Sequence, residues 1–425
     1  MNTTTASSRQ YFLDWLRILA FGLLVPYHVG MYYVSWDWHV KSASASDFIE
    51  PLMILTSPWR LGLLFLVGGA AARHLLGKGQ GFVGSRTKRL LIPLIFGMFV
   101  IVPPQPFFEV QTKLGYAGSY LDFMDLYVHG YHGFCGKDGK CLDLPTWNHL
   151  WFVAYLWVYS LIGWALWRVW PGLADRFERW IGEPRGALFT LLALALPLMA
   201  ARQLVSLFPS THNLTWDWYN HAQYGYLFLL GLLGAHSALW TLMQQWRRWA
   251  LGLALLAWAV LIGYFKAYDQ VEPPQALRLL MRCVWGGLEW WAITAACGFA
   301  RQWLNFDHAW RRWLTPAIFC VYILHQTVIV LLTRLLLPLA LPAVAEGLLL
   351  IVLTFALCLL GYVLVRRVPL LRDLLGISAG RPHGARQPRQ CGHPPPRVLH
   401  EVLAHHGPGH RPRSLAEVLS RRPRS

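Results

Sequence analysis

Charge is what this chain has least of. Only 14% of its 425 residues are Asp, Glu, Lys or Arg, with 21 acidic against 38 basic. Soluble domains carry about a quarter charged residues, so an ordinary water-facing surface is excluded. Cysteine is scarce too, at seven. Four of these, Cys283, Cys297, Cys320 and Cys358, stand inside apolar runs, which excludes a disulfide-stapled scaffold. Cys135 and Cys141 share one polar loop, FCGKDGKC, where an oxidising compartment permits a disulfide, the alternative being two free thiols. His129 and His132 lie just upstream, but the spacing matches no strong zinc pattern and no metal is expected.

Apolar residues fill the space that charge leaves. They make up 55% of the chain, with 23 tryptophans and a mean hydropathy of +0.36. Stretches of about 17–25 apolar residues are long enough to cross a bilayer. Ten are readable, at 11–34, 52–74, 89–106, 149–169, 187–208, 221–242, 248–266, 281–300, 314–337 and 345–366. The expected fold is therefore an all-α polytopic membrane protein. Arg73, Lys78, Arg86, Lys88 and Arg89 follow the second stretch, and Arg176, Arg179 and Arg185 follow the fourth. Arg247, Arg248, Arg301, Arg311 and Arg312 fall on that same side. The alternate connections hold only Lys41, then Lys113, Lys137 and Lys140. The positive-inside bias then places both termini in the cytoplasm. The first stretch lacks a small-residue cleavage site and is expected to remain as a signal-anchor.

A net charge of +17 suggests nucleic acid only until its distribution is considered. The segment after Gly380 holds nine arginines against two glutamates, +7 of the total. No basic groove interleaved with aromatics stands apart from the spans, so nucleic acid is not an expected partner. Rich in Pro, His, Gly and Arg, the tail over 377–425 is expected to be disordered, with anionic lipid heads as a possible contact. Residues 9–376 form the membrane domain. Oligomeric state is not readable.

The first span carries costly groups: Asp14, Arg17 and His28. Ionisable residues inside a membrane pair, line a wet cavity or do chemistry. Arg17 and His28 are separated by ten residues. Eleven steps of about 100° return to within roughly 20° of one face, about 16 Å further along. Asp14 is within helical reach of Arg17, and an ion pair between them is expected.

These residues carry a resemblance. A basic residue, ten residues and then His in the first helix resembles the acyltransferase-3 family of integral membrane acyltransferases. Arg86-Thr87-Lys88-Arg89 matches the family's R-x-x-R element entering the third span. RQYFLDWLR, the W-H-V-x-S of Trp38 to Ser42, H-L-W-F from His149, YILHQ from Tyr322 and a terminal VPLLRDLLG are similar to one branch, which succinylates periplasmic glucans. Two positions depart from it: Gly68 stands where a serine is usual, and His325-Gln326 where His-His is usual.

The resemblance implies an inner-membrane O-acyltransferase that uses acyl-CoA, succinyl or acetyl, with a glycan hydroxyl as acceptor and no bound cofactor. It implies His28 as general base, with Arg17 and Asp14 toward the other end of the same helix as further site residues. Arg86, Lys88 and Arg89 suit CoA phosphates, since guanidinium donors bind them bidentately; topology alone also accounts for these charges. Arg60, Arg202 and Arg282 either engage an anionic acyl group or glycan, or reach to the interface. His149 and His325 either orient the base or bond helices together, and Tyr322, one turn before His325, is placed to support it. Glu289, deep in the eighth stretch, has no assigned role. The competing class is a secondary transporter or flippase lined by His28, Glu289 and the arginines. Transporters commonly show internal repeats, and no second copy of the first span is found.

Overall fold

The computed structural model describes residues 9–377 apart from 78–80, 137–138, 184–185 and 236. Lys78, Lys137, Arg185 and the tail from 378 onward lie outside the described residues. Regular structure among the described residues is helical. It opens with α1 (Tyr11–Gly22), α2 (Leu24–Tyr33), α3 (Glu50–Thr56), α4 (Arg60–Leu76), α5 (Phe82–Phe96), α6 (Pro104–Leu114) and α7 (Tyr120–Val128). Next come α8 (Trp151–Val169), α9 (Leu173–Gly182), α10 (Ala187–Ala201), α11 (Trp218–Asn220), α12 (Tyr226–Leu233) and α13 (Ser237–Ala267). The last are α14 (Gln275–Trp303), α15 (Ala309–Leu336), α16 (Ala343–Val365) and α17 (Pro369–Leu374). Cys135 and Cys141 are joined by a disulfide.

Among the described residues seven helical passages are long and apolar enough to cross a membrane: Tyr11–Tyr33, Glu50–Leu76, Asn148–Val169, Ala187–Ser206, Ala238–Ala267, Ala309–Leu339 and Ala343–Val365. The pair Phe82–Ile101 and Pro104–Leu114, bent by 41°, makes an eighth when taken as one span. All ten expected stretches fall on helix, but two boundaries differ. The stretch 221–242 is interrupted at Gly234, and α13 runs unbroken for 31 residues through the expected turn before 248. The stretch 281–300 lies inside α14, whose Arg282 and Glu289 leave it short of the apolarity of the other spans.

Prolines set the breaks that matter for function. Pro26 has no N–H to offer the Gly22 carbonyl four residues back, and its ring crowds that carbonyl. The first passage accordingly breaks at Leu23, between α1 and α2. Pro103 and Pro104 likewise end a π-helical turn at Gly97–Ile101 and begin α6. At the far end of α2 the free carbonyls are capped by a lysine, an arrangement that suits a helix C-terminus. The Lys41 ammonium donates to the carbonyls of Met31 (2.7 Å), Val34 and Trp36 (2.8 Å).

Close packing in the centre depends on glycine. Lipid tails are as apolar as leucine, so membrane helices associate through backbone approach at small residues. α4 and α12 make such a contact. A Cβ on Gly69 would lie 1.9 Å from the Phe228 carbonyl oxygen, and one on Gly231 would lie 1.9 Å from that of Leu66. Phe65 and Leu66 of α4, with Leu227 and Phe228 of α12, are fully buried around this crossing. The obstacle is main chain, which cannot rotate away. Gly69→Val or Gly231→Val is therefore expected to cost at least the 1–3 kcal/mol typical of overpacking, about 3 kcal/mol or more. The check is thermal unfolding in mild detergent, with Gly252→Ala, whose Cβ meets open space, expected to melt like the unaltered chain.

Candidate functional site

Three histidines from three separate passages meet in the bundle: His28 on α2, His149 just before α8, and His325 on α15. The ring centroids of His28 and His325 are 4.9 Å apart, and those of His149 and His325 are 5.1 Å apart. The hydrogen bonds determine where each proton sits. His325 Nδ1 is 2.6 Å from the Tyr322 carbonyl oxygen, which can only accept, so Nδ1 carries the proton. His28 Nδ1 is 2.8 Å from the Leu24 carbonyl and 3.1 Å from His325 Nε2. Both neighbours accept from it, so Nδ1–H of His28 is shared between them. Any other arrangement sets two lone pairs or two protons face to face. The Nε2 of His28 is thereby left as the unprotonated nitrogen, the form a general base needs.

His149 is held from both sides. Its Nε2 donates to the Ile323 carbonyl at 3.0 Å, and its Nδ1 accepts from the Gln105 amide at 3.3 Å. Gln105 is fully buried. It also donates to Thr327 Oγ1 at 2.7 Å, and its Oε1 accepts from Asn148 and Gln326, each at 3.0 Å. Gln326 in turn donates to His39 Nε2 at 2.8 Å, and His39 Nδ1 donates to Glu109. Lys113 closes the series on Glu109 at 2.8 Å and on Asp37 at 2.7 Å. Every side-chain hydrogen in this chain has one consistent direction. Sequence reasoning missed Gln105, His39 and Glu109. Buried Gln105 could have been suspected as an amide at the Pro-Pro break of an otherwise apolar run.

Tyr322 supports the histidines through its backbone, since its carbonyl takes the His325 proton, while its hydroxyl donates to the His149 carbonyl. Arg60 is buried, with its guanidinium carbon 3.2 Å from the ring centroid of Tyr27, the neighbour of His28. Its Nε and Nη1 have no hydrogen-bond partner among the described residues. Arg60 interacts electrostatically with His28. Glu289 is buried with Oε1 unpartnered, pressed so close to Gly62 that a Cβ there would lie 2.5 Å away. Arg202 donates to the Tyr219 hydroxyl and lies 4.3 Å over the Trp285 ring, while half-buried Arg282 donates to Ser206 at 3.0 Å.

At the other end of α1 one expectation is corrected. Asp14 makes no ion pair with Arg17. It is bonded instead to buried Arg311 of α15, and Arg9 stands at 3.6 Å. Arg311 also holds Asp307 at 2.7 Å. Helical reach is real for Asp14 and Arg17, but the packed guanidinium of Arg311 offers a shorter, better-shielded contact. Arg17 is left with one long contact, 3.5 Å to the Thr315 carbonyl. It lies in electrostatic range of Arg89 and of buried Arg86, which donates to Ser160 Oγ at 3.3 Å. Lys88 and Arg89 are exposed. The structure thus gathers Arg17, Arg86 and Arg89, and separately His28, His149, His325 and Tyr322. Among the described residues no cluster of His, Cys, Asp or Glu could hold a metal ion. Breaking a buried ion pair typically costs 3–5 kcal/mol. With Asp14 about one-fifth exposed, Arg311→Met is expected to cost about 3 kcal/mol, read as a lower melting temperature, and Arg17→Gln much less.

The family model for the acyltransferase domain matches residues 10–363. Glucans biosynthesis protein C of Escherichia coli O139:H28 is 23% identical to this chain over 340 residues, covering 77% of this chain and 83% of that protein. The protein of the same name from Escherichia coli O157:H7 is 24% identical over 340 residues, with the same shares. No solved structure matches.

Proposed function

Since the chain belongs to the acyltransferase domain family and is an all-α, multi-pass membrane acyltransferase, we propose that it moves an acyl group from cytoplasmic acyl-CoA to a glycan hydroxyl, with His28 as the base. The observation that carries this reading is the shared Nδ1 proton of His28, which leaves Nε2 free to accept one. In the reaction the acceptor hydroxyl gives its proton to His28 Nε2 as its oxygen attacks the thioester carbonyl. The resulting imidazolium keeps Nδ1–H on Leu24 and His325, and charge strengthens those bonds. Collapse breaks the carbon–sulfur bond, and the departing thiolate takes the proton back from Nε2. Atoms and protons balance, leaving an ester and free CoA.

Two further groups fit this course. Arg60, with two unused N–H groups beside His28, is suited to the oxyanion that forms on the thioester oxygen, where donors aimed at developing charge act most strongly. The same guanidinium suits the free carboxylate of a succinyl group, if that is the group carried. Arg17, Arg86 and Arg89 form the grip for CoA phosphates about 16 Å away by helical rise, a distance that a pantetheine arm spans. The glycan acceptor is supported by the names of the relatives in Escherichia coli, and the inner membrane by the cytoplasmic origin of acyl-CoA.

The test is transfer of isotope label from acyl-CoA to glycan in inside-out vesicles. His28→Ala is expected to lower covalent labelling by a factor of at least about 100, the usual scale of general-base catalysis, with the protein still inserted. Arg17→Gln with Arg86→Gln is expected to raise the KM for acyl-CoA more than it lowers kcat. Unchanged labelling by His28→Ala would remove the base assignment. Label that crosses without covalent attachment would mark a carrier instead.

A further inference from the structure

An apolar cavity of about 650 Å³ lies between α1, α4, α14, α15 and α16. Its wall includes Leu19, Gly22, Leu23, Trp59, Phe299 and Phe355, and none of His28, His149, His325, Arg17 or Arg86. The space follows a single stripe of α15, Leu314, Ile318 and Val321, which at helical spacing reaches His325 one turn later. It therefore ends about one turn short of the histidines. The side towards the bilayer is open, where Leu19 is half exposed and Trp303 more so. Water gains nothing in such a space, since an apolar cavity offers no hydrogen-bond partners and stays dry. An unfilled void would forfeit dispersion contacts along its whole lining. In a membrane the available filler is a lipid tail. The near-absence of polar lining argues against a pantetheine arm with its two amides.

A charge near the mouth favours one class of lipid. Arg366 lies seven residues beyond Leu359, on the same face of α16, and is exposed. By helical rise that is about 10 Å further along. Trp313 of α15 packs on Tyr362 of α16 at 5.7 Å, so the start of α15 and the end of α16 lie together. Exposed Arg312, two residues before Leu314, is at the same end but about 160° round α15 from that stripe, and it holds Asp307 at 3.3 Å. We infer that this cavity holds one acyl chain of an anionic phospholipid, with its phosphate on Arg366. The tail occupies the space left beside the Gly22–Leu23 break and so braces the junction between α1, which carries Arg17, and α2, which carries His28. This site does not depend on the transferase reading.

Gly22 supplies the test, because a Cβ on it meets nothing within 4 Å. The full chain, exchanged into mild detergent, is loaded with palmitoyl-oleoyl phosphatidylglycerol or with phosphatidylcholine of the same chains, and retained lipid is counted by native mass spectrometry. The unaltered chain is expected to keep one phosphatidylglycerol, at least fivefold more often than phosphatidylcholine. Gly22→Leu fills the cavity and is expected to lower retention at least fivefold without lowering the melting temperature. Leu19→Trp is a second filling variant, which decides the matter if Gly22→Leu fails to fold. Arg366→Gln is expected to abolish the preference between the two lipids while retention of each persists. Retention unchanged in a folded filling variant, or equal retention of both lipids by the unaltered chain, would overturn the proposal.

Discussion

Hydrocarbon offers no hydrogen-bond partner, so every polar side chain in this bundle has to find one within the protein or be left with unused capacity. That constraint shapes the whole interior. Where the demand is met, the outcome is a set of directed bonds such as Gln326 to Gln105 to His149, each hydrogen assigned by the acceptor it faces. Where it is not met, the exceptions are informative. His28 Nε2 is left by its neighbours without a proton, and Arg60 has two idle N–H groups close by. Unspent capacity of this kind, in a place where it is costly, is what a reacting substrate can use.

Backbone irregularities put those groups within reach of one another. Pro26 breaks the first passage, and the carbonyl of Leu24, the first residue after the break, becomes the acceptor that orients His28. Lys41 then ties off the far end of the same short helix. Across the bundle, Gly69 and Gly231 let α4 and α12 touch along their main chains, which draws in the residues around Arg60 and Gly62. Packing of this type is intolerant of added atoms, so the position of the polar groups is inherited from the glycines.

The ionic end of the first helix follows an equivalent logic of exchange. Arg311 takes Asp14, the carboxylate nearest to Arg17 in sequence. Arg17 is thereby left without a contact to a carboxylate, in electrostatic range of Asp14 and of Arg89, and Arg86 is in range of both arginines, a concentration of like charge that suits a polyanion. The correction to the expected Asp14–Arg17 pair therefore strengthens the case for an anion-binding end.

Local pattern was enough to determine the class of the molecule. The shortage of charge, the ten apolar stretches and the bias of Lys and Arg depend on composition along the chain, and helix formation in a membrane is a local matter. The spacing of Arg17 and His28 was legible for the same reason, since both lie on one passage. Partners were not legible. His28 meets His325 across 297 positions, Asp14 meets Arg311 across another 297, and Gln105 meets Gln326 across 221. Nothing periodic in a sequence records such distances. The break at Gly234 was equally hidden, because an apolar run reads alike whether it is one helix or two. Which nitrogen of His28 carries a proton was decided by tertiary structure alone, because it depends on two acceptors, one of them 297 positions away along the chain.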